Sequence, residues 1–266
     1  MLAIFRHFTS VGIITCVALL TGTSAVADPG KPQRSIVLVH GAFADGSSWD
    51  RVIPILQAKG YNVVAVHEPL TSLADDVAAT KRVIDAQPGE VILVGHSYGG
   101  AVITEAGNNL KVVGLVYVAA FAPDTGESVN DLGKGKPAPG WVTGVKVDEG
   151  GFATLTPSTV AKYFAQDLPS PELQVITAKQ GPISLKNLDE KIKSAAWRSK
   201  PVWYVRASQD MMIDPAGEAY WAKRMNATTI SLVSSHVAML SKPKEVAAAI
   251  LSAAAAPSKP GKVANK

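Results

Sequence analysis

The pentapeptide Gly95-His96-Ser97-Tyr98-Gly99 follows an apolar run, Val91 to Val94, and opens a stretch of helical character, Gly100 to Asn108. Glycines two before and two after a serine let the strand and helix backbones approach closely, so the turn between them is sharp and the hydroxyl is exposed at the sheet edge. The chemistry on offer is nucleophilic attack, which a serine hydroxyl performs only with a base beside it.

Elimination among five histidines finds the base. His7 lies in the N-terminal segment, His40 precedes a glycine in the loop after the first strand, and His96 sits beside Ser97 and should point away from it. His67 ends the second strand without a motif around it. His236 remains, in Ser234-Ser235-His236-Val237, a loop after the last predicted strand and just before the final helix. The acid that orients a catalytic imidazole is expected after the preceding strand, in Ser208-Gln209-Asp210. Asp210 is the choice. Asp214 stands beside Pro215 as a helix cap would, and Asp124 stands beside Pro123 as a turn residue would. A tetrahedral oxyanion needs preorganised donors. The amide of Tyr98 is one candidate, and the loop His40-Gly41-Ala42-Phe43 supplies the other, Ala42 first and Phe43 second.

The elements that must position these residues are legible as apolar, β-branched runs alternating with helical patterns. Strands are predicted at 35–39, 63–66, 91–94, 112–118, 201–206 and 228–233, and helices near 49–58, 73–86, 100–108, 215–225 and 243–251. That alternation argues for a parallel sheet with helices on both faces. Residues 123–200 interrupt it with more chain than a crossover needs, helical candidates at 157–166, 171–178 and 188–196, and the look of a lid.

At the N-terminus, Arg6 and His7 precede an apolar stretch from Val11 to Leu20, then Ala25-Val26-Ala27 before Asp28. This is the pattern of a secretory signal peptide, so residues 1–27 are expected to be removed and the protein exported, to the periplasm or beyond, with no membrane association afterwards. Cys16 is the one cysteine and falls inside that segment, which excludes a thiol nucleophile, a thiolate zinc site and an iron–sulfur cluster from the mature chain. With 47% hydrophobic and 18% charged residues the chain can bury a large core, and a net charge of +4 without a basic, aromatic-interleaved cluster makes nucleic acid an unexpected partner. The expected layout is signal peptide 1–27, core 28–122 and 201–252, cap 123–200 and flexible tail 253–266.

From about Ser35 to Leu251 the sequence resembles the α/β-hydrolase superfamily. Within it, His40-Gly41-Ala42, Gly95-His96-Ser97-Tyr98-Gly99, Ser208-Gln209-Asp210 and the stretch from Ser235 to Leu240 look like the methyl-esterase and hydroxynitrile-lyase branch and its bacterial relatives. The resemblance implies a Ser97-His236-Asp210 triad, a cap over the pocket, no cofactor or metal, and a sheet trimmed to about six parallel strands. The lyases carry a hydroxyl residue after the first loop histidine and a lysine after the catalytic one. Here those positions are Gly41 and Val237, so hydrolysis of a small to medium, largely apolar carboxylic ester is the expected reaction. Amide, lactone or perhydrolase chemistry on the same triad, a non-catalytic ligand-binding role and lipid binding are the competing readings. Phe43, Trp141 and Trp197 are the candidate substrate contacts, with Phe152, Tyr163 and Phe164 as further cap aromatics. The oligomeric state is left open.

Overall fold

The computed structural model describes residues 34–257; the expected signal segment, with Cys16, and the end of the tail lie outside them. In chain order the core begins with β1 (Ser35–Val39), α1 (Ile53–Gln57), β2 (Asn62–Ala65), α2 (Leu73–Asp85), β3 (Val91–Ser97), α3 (Gly99–Ala106) and β4 (Val112–Ala120). The insertion follows, with β5 (Val145–Val147), β6 (Phe152–Leu155), α4 (Pro157–Thr159), α5 (Ser170–Ala178) and β7 (Ile183–Ser184). The chain then returns through β8 (Val202–Ala207), α6 (Pro215–Arg224), β9 (Thr228–Leu232), α7 (Ala238–Ser241) and α8 (Pro243–Ala255).

Among the described residues, six strands form one sheet in the order β2-β1-β3-β4-β8-β9, every pair parallel. The continuous apolar runs of β1 and β3 are buried along their whole length, as strands covered on both faces must be. Edge strand β9, Thr-Thr-Ile-Ser-Leu, is partly exposed throughout. From β1 the chain steps one way to β2, and afterwards always the other way. Right-handed crossovers therefore place α1 on one face and α2, α3 and α6 on the other. Helix α8 joins α1 and covers β3, β4 and β8. Because the strands are parallel, the loops after β1, β3, β8 and β9 emerge at one edge, where Ala42, Ser97, Asp210 and His236 meet.

The insertion departs from the expected run of helices. Strands β5, β6 and β7 form a small antiparallel sheet. Its hairpin turns on Asp148 to Gly151, where the Asp148 carboxylate accepts from the Phe152 amide and Gly151 takes φ +81°, a conformation open to glycine at no steric cost. The helix expected over 157–166 is one α-turn followed by a π-helical turn, Val160–Phe164. No helix forms over 188–196. Instead the Ile192 amide donates to the Glu127 carbonyl and its carbonyl accepts from the Gly126 amide, so this stretch is satisfied by a neighbouring segment. Helix α8 continues to Ala255, beyond the boundary expected at Leu251.

Close approach of α3 to the sheet is what the elbow depends on. A Cβ on Gly99 would lie 2.4 Å from the His40 carbonyl oxygen and 2.9 Å from that of Val39. Both are backbone atoms that cannot yield locally. Gly99→Ala is expected to cost about 1–3 kcal/mol of stability by overpacking and to displace the turn at Ser97. Urea unfolding and assays of the expected ester hydrolysis check this; an unchanged midpoint with an unchanged rate would contradict it.

Candidate active site

Ser97 ends β3 with φ +53°, a left-handed backbone that a residue with a Cβ adopts at a cost. The turn opens α3 directly, so the Tyr98 amide belongs to the helix's first turn, whose N–H groups have no intrahelical partner and favour negative charge. The loop after β1 passes so near that a Cβ on Gly41 would sit 2.7 Å from the Cβ of Ser97. This position therefore cannot carry a hydroxyl side chain in this backbone.

Asp210 Oδ2 accepts from His236 Nδ1 at 2.6 Å, and both side chains are buried. Oδ1 of the same carboxylate accepts from the amides of Met212 (2.7 Å) and Ile213 (2.9 Å). The two rival acids are engaged elsewhere. Asp214 caps α6 by accepting from the Ala216 amide at 2.9 Å, and Asp124 is paired with Arg198 at 2.7 Å. His96 points away from Ser97: its Nε2 lies 2.9 Å from the His236 carbonyl, and its ring packs 4.7 Å from the His236 ring. Burial holds His96 far below the ordinary imidazole value, so it is neutral, and the proton assigned to Nε2 by that hydrogen bond fixes the His236 backbone. His40 braces the first loop, accepting from the Glu68 amide at Nε2 (3.3 Å) and contacting the Gly41 carbonyl at Nδ1 (2.9 Å).

Behind Asp210 stands a second carboxyl that the motifs did not reveal. Glu218 of α6 is fully buried and accepts from the Ala207 amide at 2.9 Å, at the end of β8. Burial, then the charge of Asp210, push its pKa far above the carboxyl range, so Glu218 keeps its proton.

Tyr98 is anchored through its side chain. Its hydroxyl donates to Asp76 Oδ2 of α2 at 2.7 Å, and Asn187 of the insertion donates to the same oxygen at 2.9 Å and to the Tyr98 hydroxyl at 3.1 Å. The Leu70 amide satisfies Asp76 Oδ1 at 2.8 Å. Burial raises Asp76 to about 6 despite these bonds. Both hidden acids share a signal in the sequence: each lies on the apolar stripe of its helix. Glu218 keeps register with Gly217, Trp221 and Ala222, and Asp76 with Leu73, Val77 and Thr80.

Ser97, His236 and Asp210, with Ala42, Phe43 and Tyr98, line one cavity of about 800 Å³, whose remaining walls come largely from the insertion. Trp141 is among them, its indole N–H donating to the Met212 carbonyl at 2.8 Å, as are Tyr163 and Phe164. Trp197 does not line this cavity. Its indole N–H donates to the Pro123 carbonyl at 3.0 Å and its ring lies against the guanidinium groups of Arg198 and Arg224, away from the cavity, because it closes the base of the insertion.

Residues 36–249 match the family model described as "Alpha/beta hydrolase family". The chain belongs to this family. Among its relatives, a pyrethroid hydrolase of Sphingobium wenxiniae is 29% identical over 87% of this chain and 91% of its own. Methylesterase 2 of Arabidopsis thaliana is 32% identical over 37% of this chain and 42% of its own. The crystal structure of a pyrethroid hydrolase from Sphingobium faniae superposes with a TM-score of 0.74 at 25% identity, covering 84% of this chain and 98% of that one. This α/β-hydrolase thus shares its architecture along nearly the whole length of a pyrethroid hydrolase.

The raised Glu218 carboxyl gives a stability signature. An unfolded Glu releases its proton near its ordinary value, whereas the folded one retains it, so the folded chain binds the extra proton and loses stability as pH rises above about 4.5. Glu218→Gln can keep the bond from the Ala207 amide without a titrating proton. Its stability relative to the parent is expected to rise between about pH 5 and 8, by at most about 1.4 kcal/mol per pH unit. Parallel denaturation midpoints for the two proteins across that range would contradict the protonated Glu218.

Proposed function

We propose that this α/β-hydrolase is an exported serine esterase that cleaves apolar carboxylic esters through an acyl-enzyme. The ester-hydrolase class rests on the family and on its relatives. The observation that carries the mechanism is the 2.6 Å contact of Asp210 with His236, opening onto the same cavity as a serine held in a left-handed turn.

In this mechanism Ser97 Oγ attacks the ester carbonyl carbon while His236 Nε2 takes the hydroxyl proton. The carbonyl oxygen becomes an oxyanion facing the amides of Tyr98 and Ala42. Collapse expels the alcohol, which receives its proton from His236, and leaves the acyl group on Ser97. Water then attacks, gives a proton to His236, and the acid leaves as Ser97 regains it. Asp210 holds the imidazole with Nδ1 as donor and stabilises its charged form. Gly41 and Val237 supply neither hydroxyl nor cation, which favours hydrolysis over cyanide release.

The cavity supports the substrate class. Phe43, Leu132, Trp141, Phe164, Leu188 and Ile213 give it an apolar surface, and its volume lies in the upper part of the range that receives organic ligands. Esters as bulky as those implied by the name of the pyrethroid hydrolase fit this surface better than a polar or polymeric substrate. The export reading rests on the sequence of residues 1–27.

Two outcomes are expected. Purified enzyme releases p-nitrophenol from short-chain p-nitrophenyl esters, Ser97→Ala loses at least about 10³-fold in kcat, and Asp210→Asn loses about 10⁴-fold. Turnover by a folded Ser97→Ala protein at the parent rate would overturn the assignment. N-terminal sequencing of protein from a secreting host is expected to begin at Asp28; an intact Met1 in the cytoplasmic fraction would contradict export.

A further inference from the structure

A second cavity, of about 330 Å³, lies between the turn after β1 and helix α5. Its walls include Ser47 and Arg51 on the core side, Val175 and Ile176 on α5, and Val237 and Leu240 just past His236. Two contacts frame it: an ion pair between Arg51 and Glu172 at 2.8 Å, and a hydrogen bond from Lys179 to the Ser47 hydroxyl at 3.1 Å. Both join α5 to the core.

Among the described residues, Phe43 and Phe164 line both this cavity and the large one, so these two side chains form the wall between them. Each is held by an unusual backbone. Phe43 has φ +60°, a costly conformation for a residue with a bulky side chain, and Phe164 ends the π-helical turn, closed by the Ala165 amide donating to the Val160 carbonyl. The Phe164 ring also lies 5.4 Å from the His236 ring. A wall built on two such conformations beside the catalytic base is specific placement rather than incidental packing.

We propose that the second cavity is the subsite for the leaving-alcohol half of the ester, reached past Phe43 and Phe164, while the large cavity takes the acyl half. This rests on the esterase reading above. The acyl carbon must bond to Ser97, and the oxyanion must face Ala42 and Tyr98, all of which line the large cavity and not the small one. The alcohol oxygen must leave toward the proton donor His236. The small cavity borders that side through Phe164 and Val237. Its size is at the lower end of the range that holds organic ligands, and its exposed wall is mostly apolar, with the charged Asp45, Asp50, Arg51, Glu172 and Lys179 also lining it. The substrates it selects are esters of ring-bearing or branched apolar alcohols, with room for an independent, larger acyl group.

Filling the cavity from α5 tests this without touching the triad or the wall. Ile176→Trp is the first variant, and Val175→Trp, at a half-exposed position that tolerates bulk, is the second. Parent and variants are assayed on methyl, benzyl and naphthylmethyl esters of one acid, and on methyl esters of acids of increasing size. The expected result is at least a tenfold fall in kcat/KM for benzyl and naphthylmethyl esters, with every methyl ester within about twofold of the parent. Equal losses across all esters, losses that follow acyl size, or no change would overturn the subsite. A parent enzyme inactive on every ester would instead overturn the esterase reading itself.

Discussion

The carboxylate of Asp210 is the point on which the catalytic edge converges. It is buried, and burying a carboxylate away from water costs several kcal/mol unless hydrogen bonds replace the lost hydration. Here Oδ1 receives two backbone amides and Oδ2 receives the His236 imidazole. The amides come from the loop after β8 and the imidazole from the loop after β9. Satisfying one buried group therefore sets the relative positions of these two loops. Glu218 extends the arrangement by also accepting from the Ala207 amide, which ties α6 to the end of β8.

On the other side of the site, the elbow is joined to the insertion by hydrogen bonds. Asp76 receives both the Tyr98 hydroxyl and the Asn187 side chain, so the residue whose amide we propose as an oxyanion donor is linked to α2 and to residues 185–188 together. In that proposal the insertion and the donor are joined through buried polar atoms, where an unmade bond costs about 1–3 kcal/mol. The parallel sheet sets the stage for both halves, since it delivers the four loops to one edge.

Strand positions, sheet type and the pairing of Asp210 with His236 were legible because each rests on a local signal. Continuous apolar runs mark strands buried on both faces, and the loop after each strand is where a parallel sheet presents polar residues. The insertion was less legible for the opposite reason. Its small sheet depends on pairings between Phe152–Ala153 and Ile183–Ser184, thirty residues apart, which no local periodicity encodes. Residues 188–196 have helical composition, yet the Ile192 backbone groups are taken by Gly126 and Glu127, and the Lys193 and Ala195 amides by the Glu105 and Thr125 side chains. Trp197 lies outside the cavity lining because an aromatic of the insertion can equally close its base, as the bond to the Pro123 carbonyl does. Glu218 and Asp76 are harder to see because a carboxylate in a helix reads as solvent-facing unless its place on the apolar stripe is noted.

The central claim is that Ser97, activated by His236 and Asp210, is the nucleophile. Stoichiometric labelling with a fluorophosphonate, followed by peptide mass spectrometry, tests it most directly because the reagent reports serine reactivity without presupposing a substrate. The account predicts one equivalent of adduct, located on Ser97, with labelling slowed strongly in His236→Ala. An unlabelled parent protein, or an adduct on any other residue, would contradict it.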